Sequence, residues 1–314
     1  MRTALLAAAT ALALSFPLAA QEEPKGAPAP AEIVAAAPKA DWTAIPAEDL
    51  LVMTLAPDAE GNPRTVVIQL MPAPFSQGWV HNIRLFARSG WYDGISVNRV
   101  QDNYVTQWGD PNYDNPEATG KPKPLPEGLR VMTEADYLWP RDRSRTTWLP
   151  LANGPYAAHH GVTKGWPIGW NADAAWPTHC YGMVGVGRNY SPDTGSGAEL
   201  YTVIGHAPRH LDRNIALVGR VIEGMQHLSS LPRGSGALGF YTAEEAGKRT
   251  PITSVRVASD LPMNEQPRFE HLSTESATFA AYAEAIANRR DPFFITPAGG
   301  ADICNIRVPV RRVP

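Results

Sequence analysis

Along the chain, apolar and polar positions fall into short runs separated by turn-forming residues, with helical spacing at only a few places. The apolar stretch Asp49–Leu55 runs into the turn-like Asp58-Ala59-Glu60-Gly61-Asn62-Pro63, and Arg64–Leu70 follows as a second strand, so the pair predicts a hairpin. Between Ser76 and Ser89, Val80, Ile83, Leu85 and Phe86 form a helical stripe, and Gly90 stands where a helix end favours glycine. Gly94–Gln107 alternates and reads as strand pairs. Strand character returns over 181–204, broken by the turn-rich Ser191–Gly197, and again at Ile215–Val221 and Arg249–Val257, with a short helix starting over Glu223–Leu228. The clearest helix is Ser273–Arg290, where Phe279, Tyr282, Ala283 and Ile286 share one face. Ser273 or Thr274 would cap its start, Arg289-Arg290 suit the dipole at its end, and Asp291-Pro292 stops it. Pro111–His179 has no clean period and reads as a long, partly ordered insertion with one helical piece near Glu134–Leu138. Many short strands and few helices predict a mainly β fold, a closed antiparallel barrel with helices plugging its ends.

Composition narrows this picture. The 44% apolar content suits a chain that buries a real core. A net charge of -3 with scattered Lys and Arg argues against a nucleic-acid partner. At the start, Arg2, the uncharged apolar run Ala4–Phe16 and Pro17-Leu18-Ala19-Ala20 have the order of an export signal, so residues 1–20 are expected to be cleaved before Gln21 and the product to be periplasmic. A membrane anchor is the alternative, and the run is short for it. Residues 21–45, rich in Ala, Pro, Glu and Lys, read as a flexible linker. Cys180 and Cys304 are either a disulfide or two buried thiols, and export favours the disulfide. No cysteine spacing points to a metal, and His159-His160 read as solvated loop histidines. Gly185-Val186-Gly187 lacks the crossover helix of a dinucleotide site.

The segment Gly90-Trp91-Tyr92-Asp93-Gly94, then Asn98-Arg99-Val100, then Gln107-Trp108-Gly109-Asp110 resembles the central signature of the cyclophilins. Further blocks agree in order and spacing: Gly182–Arg188, the Ser191–Gly197 loop, Ala198–Val203, Leu211-Asp212 and Val218–Met225. The resemblance runs from about 64 to 257 and is broken by the insertion at 111–180. It implies an eight-stranded antiparallel barrel capped by two helices, here occupying 46–260, with residues 261–314 as a C-terminal helical extension. It also implies a peptidyl-prolyl cis-trans isomerase that needs no metal or organic cofactor, acts on proline-containing polypeptides in a groove on the outer face of the barrel, and is expected here to be a monomer.

By that resemblance Arg99 is the catalytic residue, and Gln107 holds the substrate backbone. Tyr104, Val105, Tyr201 and Leu211 match the proline pocket, and Gly187, Glu199 and His210 stand beside it. Several positions depart from the family pattern: Tyr104 and Tyr201 for phenylalanine, Val105 for methionine, His210 for a large residue such as tryptophan, Ile215 for histidine, Glu199 for glutamine, and Trp108 for a glycine. The chemistry is coherent on its own terms. Twisting an amide costs ~18–20 kcal/mol because resonance is lost, and X-Pro exchange takes tens of seconds or more. In the twisted state the prolyl nitrogen regains a lone pair, and a fixed guanidinium aimed at it favours that state over both ground states. Two rival readings use the same barrel: a chaperone module that holds proline-containing segments without turnover, and a scaffold that docks an envelope partner through its insertion and tail.

Overall fold

The computed structural model describes residues 26–113, 115–140 and 149–313; the expected export signal and the start of the expected linker lie outside them. The strands are β1 (Trp42–Ile45), β2 (Leu50–Leu55), β3 (Arg64–Leu70), β4 (Ser96–Val100), β5 (Val105–Gly109), β6 (Trp139–Pro140), β7 (Leu149–Gly154) and β8 (Ala157–Thr163). They continue with β9 (Trp166–Trp170), β10 (Ala174–Pro177), β11 (Met183–Val186), β12 (Leu200–Val203), β13 (Leu217–Glu223), β14 (Ile252–Val257), β15 (Phe269–Leu272) and β16 (Val310–Arg312). The α-helices are α1 (Pro30–Ala35), α2 (Gln77–Arg88), α3 (Gln226–Ser229) and α4 (Ala277–Ala287).

Eight strands form one antiparallel sheet in the order β14-β2-β3-β13-β11-β12-β5-β4. Its two edges meet: Ser96 bridges Pro251, and Ile252 N–H donates to the Ile95 carbonyl at 2.8 Å. The expected barrel is therefore present and nearly closed. Its interior is filled by inward residues such as Met53, Val66, Ile68, Val97 and Trp108, joined by Trp79, Val80, Ile83 and Phe86 from α2 and Leu228 from α3. Helix α2 ends as expected. Gly90 takes φ 68°, while Gly90 N–H donates to Ala87 and Trp91 N–H to Phe86, closing the last turn in a Schellman motif. Leu85 is only half-buried. The buried stripe instead takes in Asn82, whose side chain exchanges hydrogen bonds with the Arg130 backbone.

Several expectations need correction. The insertion is not a loop with one helical piece: besides a 3-10 turn at Glu134–Tyr137, it carries a five-stranded sheet, β6-β10-β9-β8-β7. Every residue of β9 is buried, so no polar-apolar alternation marks it. Trp166 and Trp170 from this strand join the barrel's buried cluster. His160 lies on β8 and is buried, not a solvated loop histidine. Nor is the described part of 21–45 a linker. Ile33 and Val34 of α1 pack with Phe279, Tyr282 and Ala283 of α4, and β1 pairs with β15, which pairs with β16. The C-terminal extension is thus helix plus strand, folded together with residues from the other end of the chain. Helix α4 is shorter than expected. Ser276, rather than Ser273 or Thr274, caps it by accepting from Phe279 N–H at 3.0 Å, and it ends at Ala287 with Asn288 as its C-cap. Cys180 and Cys304 are bonded, with Cα atoms 5.0 Å apart, which joins the chain just before β11 to the extension.

Burial lowers the pKa of three imidazoles, those of His160, His179 and His271. The unfolded chain takes up protons at these sites as pH falls through about 6.5, and the folded protein resists them. Their contribution is therefore complete above pH 6.5 and is lost as pH drops below it. Each excluded proton steepens the loss by about 1.4 kcal/mol per pH unit. Urea unfolding at pH 8, 7, 6 and 5 should give a plateau and then a falling midpoint; a midpoint unchanged down to pH 5 would contradict the burial of these rings.

Candidate active site

The site is built where β4, β5, β12 and β11 run side by side. Arg99 on β4 faces Gln107 on β5, Gln107 faces Tyr201 on β12, and Tyr201 faces Gly185 on β11. Between Val97 and Arg99 the β4–β5 register shifts, as at a bulge. Asn98 is buried there and donates to the Gly109 carbonyl. Strand alternation then sends Trp108 into the barrel core and leaves Gln107 on the outer face. The tryptophan in place of the family's glycine thus fills the interior without entering the site.

These side chains line a cleft of about 640 Å³ on the outside of the barrel. Arg99, Tyr104, Val105, Gln107, Gly187, Glu199, Tyr201 and Leu211 all line it. His210 does not. It is exposed, with its ring parallel to that of Tyr104 at a centroid distance of 6.4 Å. The small residues are needed where they stand: a Cβ at Gly187 would lie 2.8 Å from Glu199 Cβ, and one at Gly185 would lie 2.3 Å from Tyr201 Cζ. Glu199 in turn receives a hydrogen bond from Gln107 Nε2 at 3.2 Å, which orients the amide so that its oxygen meets Arg99.

Arg99 is tightly held. Its Nε donates to the Leu238 carbonyl at 2.7 Å, its Nη1 to Gln107 Oε1 at 3.1 Å, and its Nη2 to Gln101 Oε1. The guanidinium lies 5.7 Å from the Tyr104 ring centroid and 5.5 Å from that of Phe240. Burial pulls its pKa below the usual arginine value, and burial raises that of Tyr104. A guanidinium carries five N–H groups, so each Nη keeps one hydrogen beyond these three bonds. The site therefore presents a fixed cationic fork beside an apolar recess.

Several lining residues escaped the sequence reading: Pro116, Arg188, Asn189, Tyr190, Ile215, Leu238 and Phe240. Ile215 was visible only as a departure from the family. Leu238 and Phe240 come from a glycine-rich loop that no matching block covers. Its path depends on Leu238 at φ 55° and Gly239 at φ 80°, and a Cβ at Gly239 would stand 2.7 Å from Gln101 Cα. Two large apolar residues inside Gly234-Ser235-Gly236-Ala237-Leu238-Gly239-Phe240 were the available clue. Among the described residues no group of three or more His, Cys, Asp or Glu is placed to hold a metal ion.

Comparison with known proteins follows the same lines. No curated protein sequence matches the chain. Among solved structures, the cyclophilin AquaCyp293 from Hirschia baltica is similar in fold, with a TM-score of 0.63 at 19% identity, covering 86% of this chain and 93% of that one. A cyclophilin type peptidyl-prolyl cis-trans isomerase from Cryptosporidium parvum matches at 11% identity over 66% of this chain and 96% of its own, with a TM-score of 0.37, too low to carry an argument. The family model described as Cyclophilin type peptidyl-prolyl cis-trans isomerase/CLD matches residues 63–257, a span that contains every cleft residue named above. Matched over more than half its length, and folded as the barrel just described, the chain belongs to the cyclophilin-type peptidyl-prolyl cis-trans isomerase family.

Proposed function

We propose that this protein accelerates X-Pro bond rotation in exported, proline-containing polypeptides and so acts as a folding catalyst of the periplasm. The observation that carries this reading is Arg99, held by three hydrogen bonds on the wall of an apolar cleft with N–H groups still to offer. The proline ring would sit against Tyr104, Val105, Tyr201 and Leu211, while Gln107 meets the substrate backbone. As the amide twists, the prolyl nitrogen becomes pyramidal and gains a lone pair, and the nearby guanidinium donates to it. Both planar isomers lack that lone pair, so the interaction acts on the barrier rather than on either end state. No nucleophile or proton acceptor is required. The export order of residues 1–20 supports the periplasmic setting, and among the described residues no helix is long and apolar enough to cross a membrane.

Exchange of a short X-Pro peptide, read by NMR line shapes, tests the reading. Added protein should broaden and merge the cis and trans resonances at a small fraction of the peptide concentration. Tyr104→Ala, which opens one wall, should raise KM several-fold with a smaller change in kcat. Peptide binding with no exchange would replace the isomerase by the chaperone reading.

A further inference from the structure

Behind the cleft wall runs a buried polar chain that takes no part in the rotation step. Tyr201 lines the cleft with its ring, and its hydroxyl lies 2.9 Å from His179 Nε2. His179 Nδ1 lies 2.9 Å from Asp212 Oδ1, which also accepts the His179 backbone N–H. Asp212 Oδ2 accepts from Arg209 Nε at 2.7 Å, and Arg209 Nη2 reaches His160 Nε2 on β8 at 2.8 Å. None of these five residues is more than 4% exposed.

The proton positions follow from the partners. Asp212 faces an arginine with one oxygen and two nitrogens of His179 with the other, so it serves as an accepting carboxylate. His179 therefore carries its proton on Nδ1, and Nε2 is left as an acceptor for the Tyr201 hydroxyl. Burial keeps this imidazole neutral, in agreement. Leu211, another cleft residue, sits between Arg209 and Asp212 in the chain, on the 3-10 turn that the Arg209–Asp212 pair closes. Two walls of the recess thus depend on one buried carboxylate. On its far side the chain is anchored in the insertion sheet through His160, and His179 precedes Cys180, which is bonded to the C-terminal extension. A phenylalanine at position 201 would make no bond to His179.

We propose that His179 is a positioning residue for the cleft: through Asp212 and the Tyr201 hydroxyl it sets the tilt of the Tyr201 ring and the seat of Leu211, so that the insertion and the disulfide-tethered extension help shape the seat for the proline ring. The proposal rests on the reading of this cleft as a prolyl-peptide site.

A double-mutant cycle tests it. In His179→Asn the amide can still donate to Asp212 but offers nothing to Tyr201, leaving a buried hydroxyl without its acceptor. That variant should weaken prolyl-peptide binding and raise KM by about five- to tenfold, with kcat changed less. Tyr201→Phe in the His179→Asn background removes the orphaned hydroxyl and should bring KM back to within about threefold of the parent, a non-additive recovery. Losses that simply add, or a His179→Asn protein with unchanged binding and KM, would overturn the proposal. Imidazole ¹⁵N spectra of the parent supply a check that needs no variant to fold: His179 should be neutral with its proton on Nδ1, and a charged ring or an Nε2–H tautomer would equally overturn it. A parent that binds the peptide without exchanging it would defeat the isomerase reading alone, because the cycle can be read in binding.

Discussion

Replacing Arg99 by alanine is expected to slow isomerisation of an X-Pro peptide by about 10²–10³-fold, the range seen when a single preorganised donor is removed from other active sites. The size follows from how little the guanidinium has to reorganise. Leu238, Gln107 and Gln101 already hold it, and Tyr104 and Phe240 stand against its faces, so its charge is in place before the amide twists. Since the lone pair it meets exists only in the twisted state, kcat should fall more than peptide affinity. Arg99→Lys should recover only part of the rate. An ammonium cannot bond the Leu238 carbonyl, the two glutamine side chains and a substrate nitrogen with one planar fork. If Arg99→Ala exchanges the peptide as fast as the parent, Arg99 is not the catalyst.

Removing the Cys180–Cys304 bond should have the largest effect on stability. The bond closes a loop with a sequence separation of 124, and long loops gain most from a cross-link through the entropy it takes from the unfolded chain. A Cys180→Ala/Cys304→Ala protein is expected to lose about 2–4 kcal/mol in denaturant unfolding. Reductant should bring the parent close to the same midpoint and leave the double variant unmoved. Alanine is the substitution of choice because Cys180 is buried and Cys304 packs against both the barrel cluster and the α1–α4 cluster, where a serine hydroxyl would add a separate cost. Identical midpoints for parent and variant without reductant would mean that the bond contributes nothing.

The parts of this molecule that were legible in its sequence are those in which local pattern and burial agree. The β2–β3 hairpin, α2 with its terminal glycine, and β4 and β5 around Arg99 each carry their own turn, cap or motif, and even β5, buried throughout, keeps polar residues among apolar ones in Val105-Thr106-Gln107-Trp108. The insertion was illegible for the opposite reason. Its β9 is covered on both sides, so Trp166, Pro167, Ile168, Gly169 and Trp170 show no alternation, and Gly169 is there because a Cβ would lie 2.9 Å from Trp176 Nε1. Residues 30–45 looked like a linker because alanine and proline dominate them. Only the partner surface from 269–312, far away in sequence, turns Trp42 into a core residue and gives Ile33 and Val34 an apolar cluster to pack against. In the cleft, motif spacing located Arg99, Gln107 and the pocket side chains. The network behind Tyr201 stayed hidden, because His160, His179 and Asp212 come from three separate segments and no spacing relates them.

The small sheet β1-β15-β16 has a consequence for the order in which the protein can be made. It pairs Trp42 with Leu272 and Phe269 with Arg312, so a strand near the start of the described chain waits for strands near its end. The barrel's hairpins β2–β3 and β4–β5 can pair as soon as they are synthesised, whereas this clasp has to wait for nearly the whole chain. Until then Ile45, on the face shared with Leu50 and Val67, lacks its cover from Phe269. A chain delivered from its N-terminus would therefore close its barrel only once β14 has followed the earlier strands, and would fasten this clasp later still, as one of its last steps.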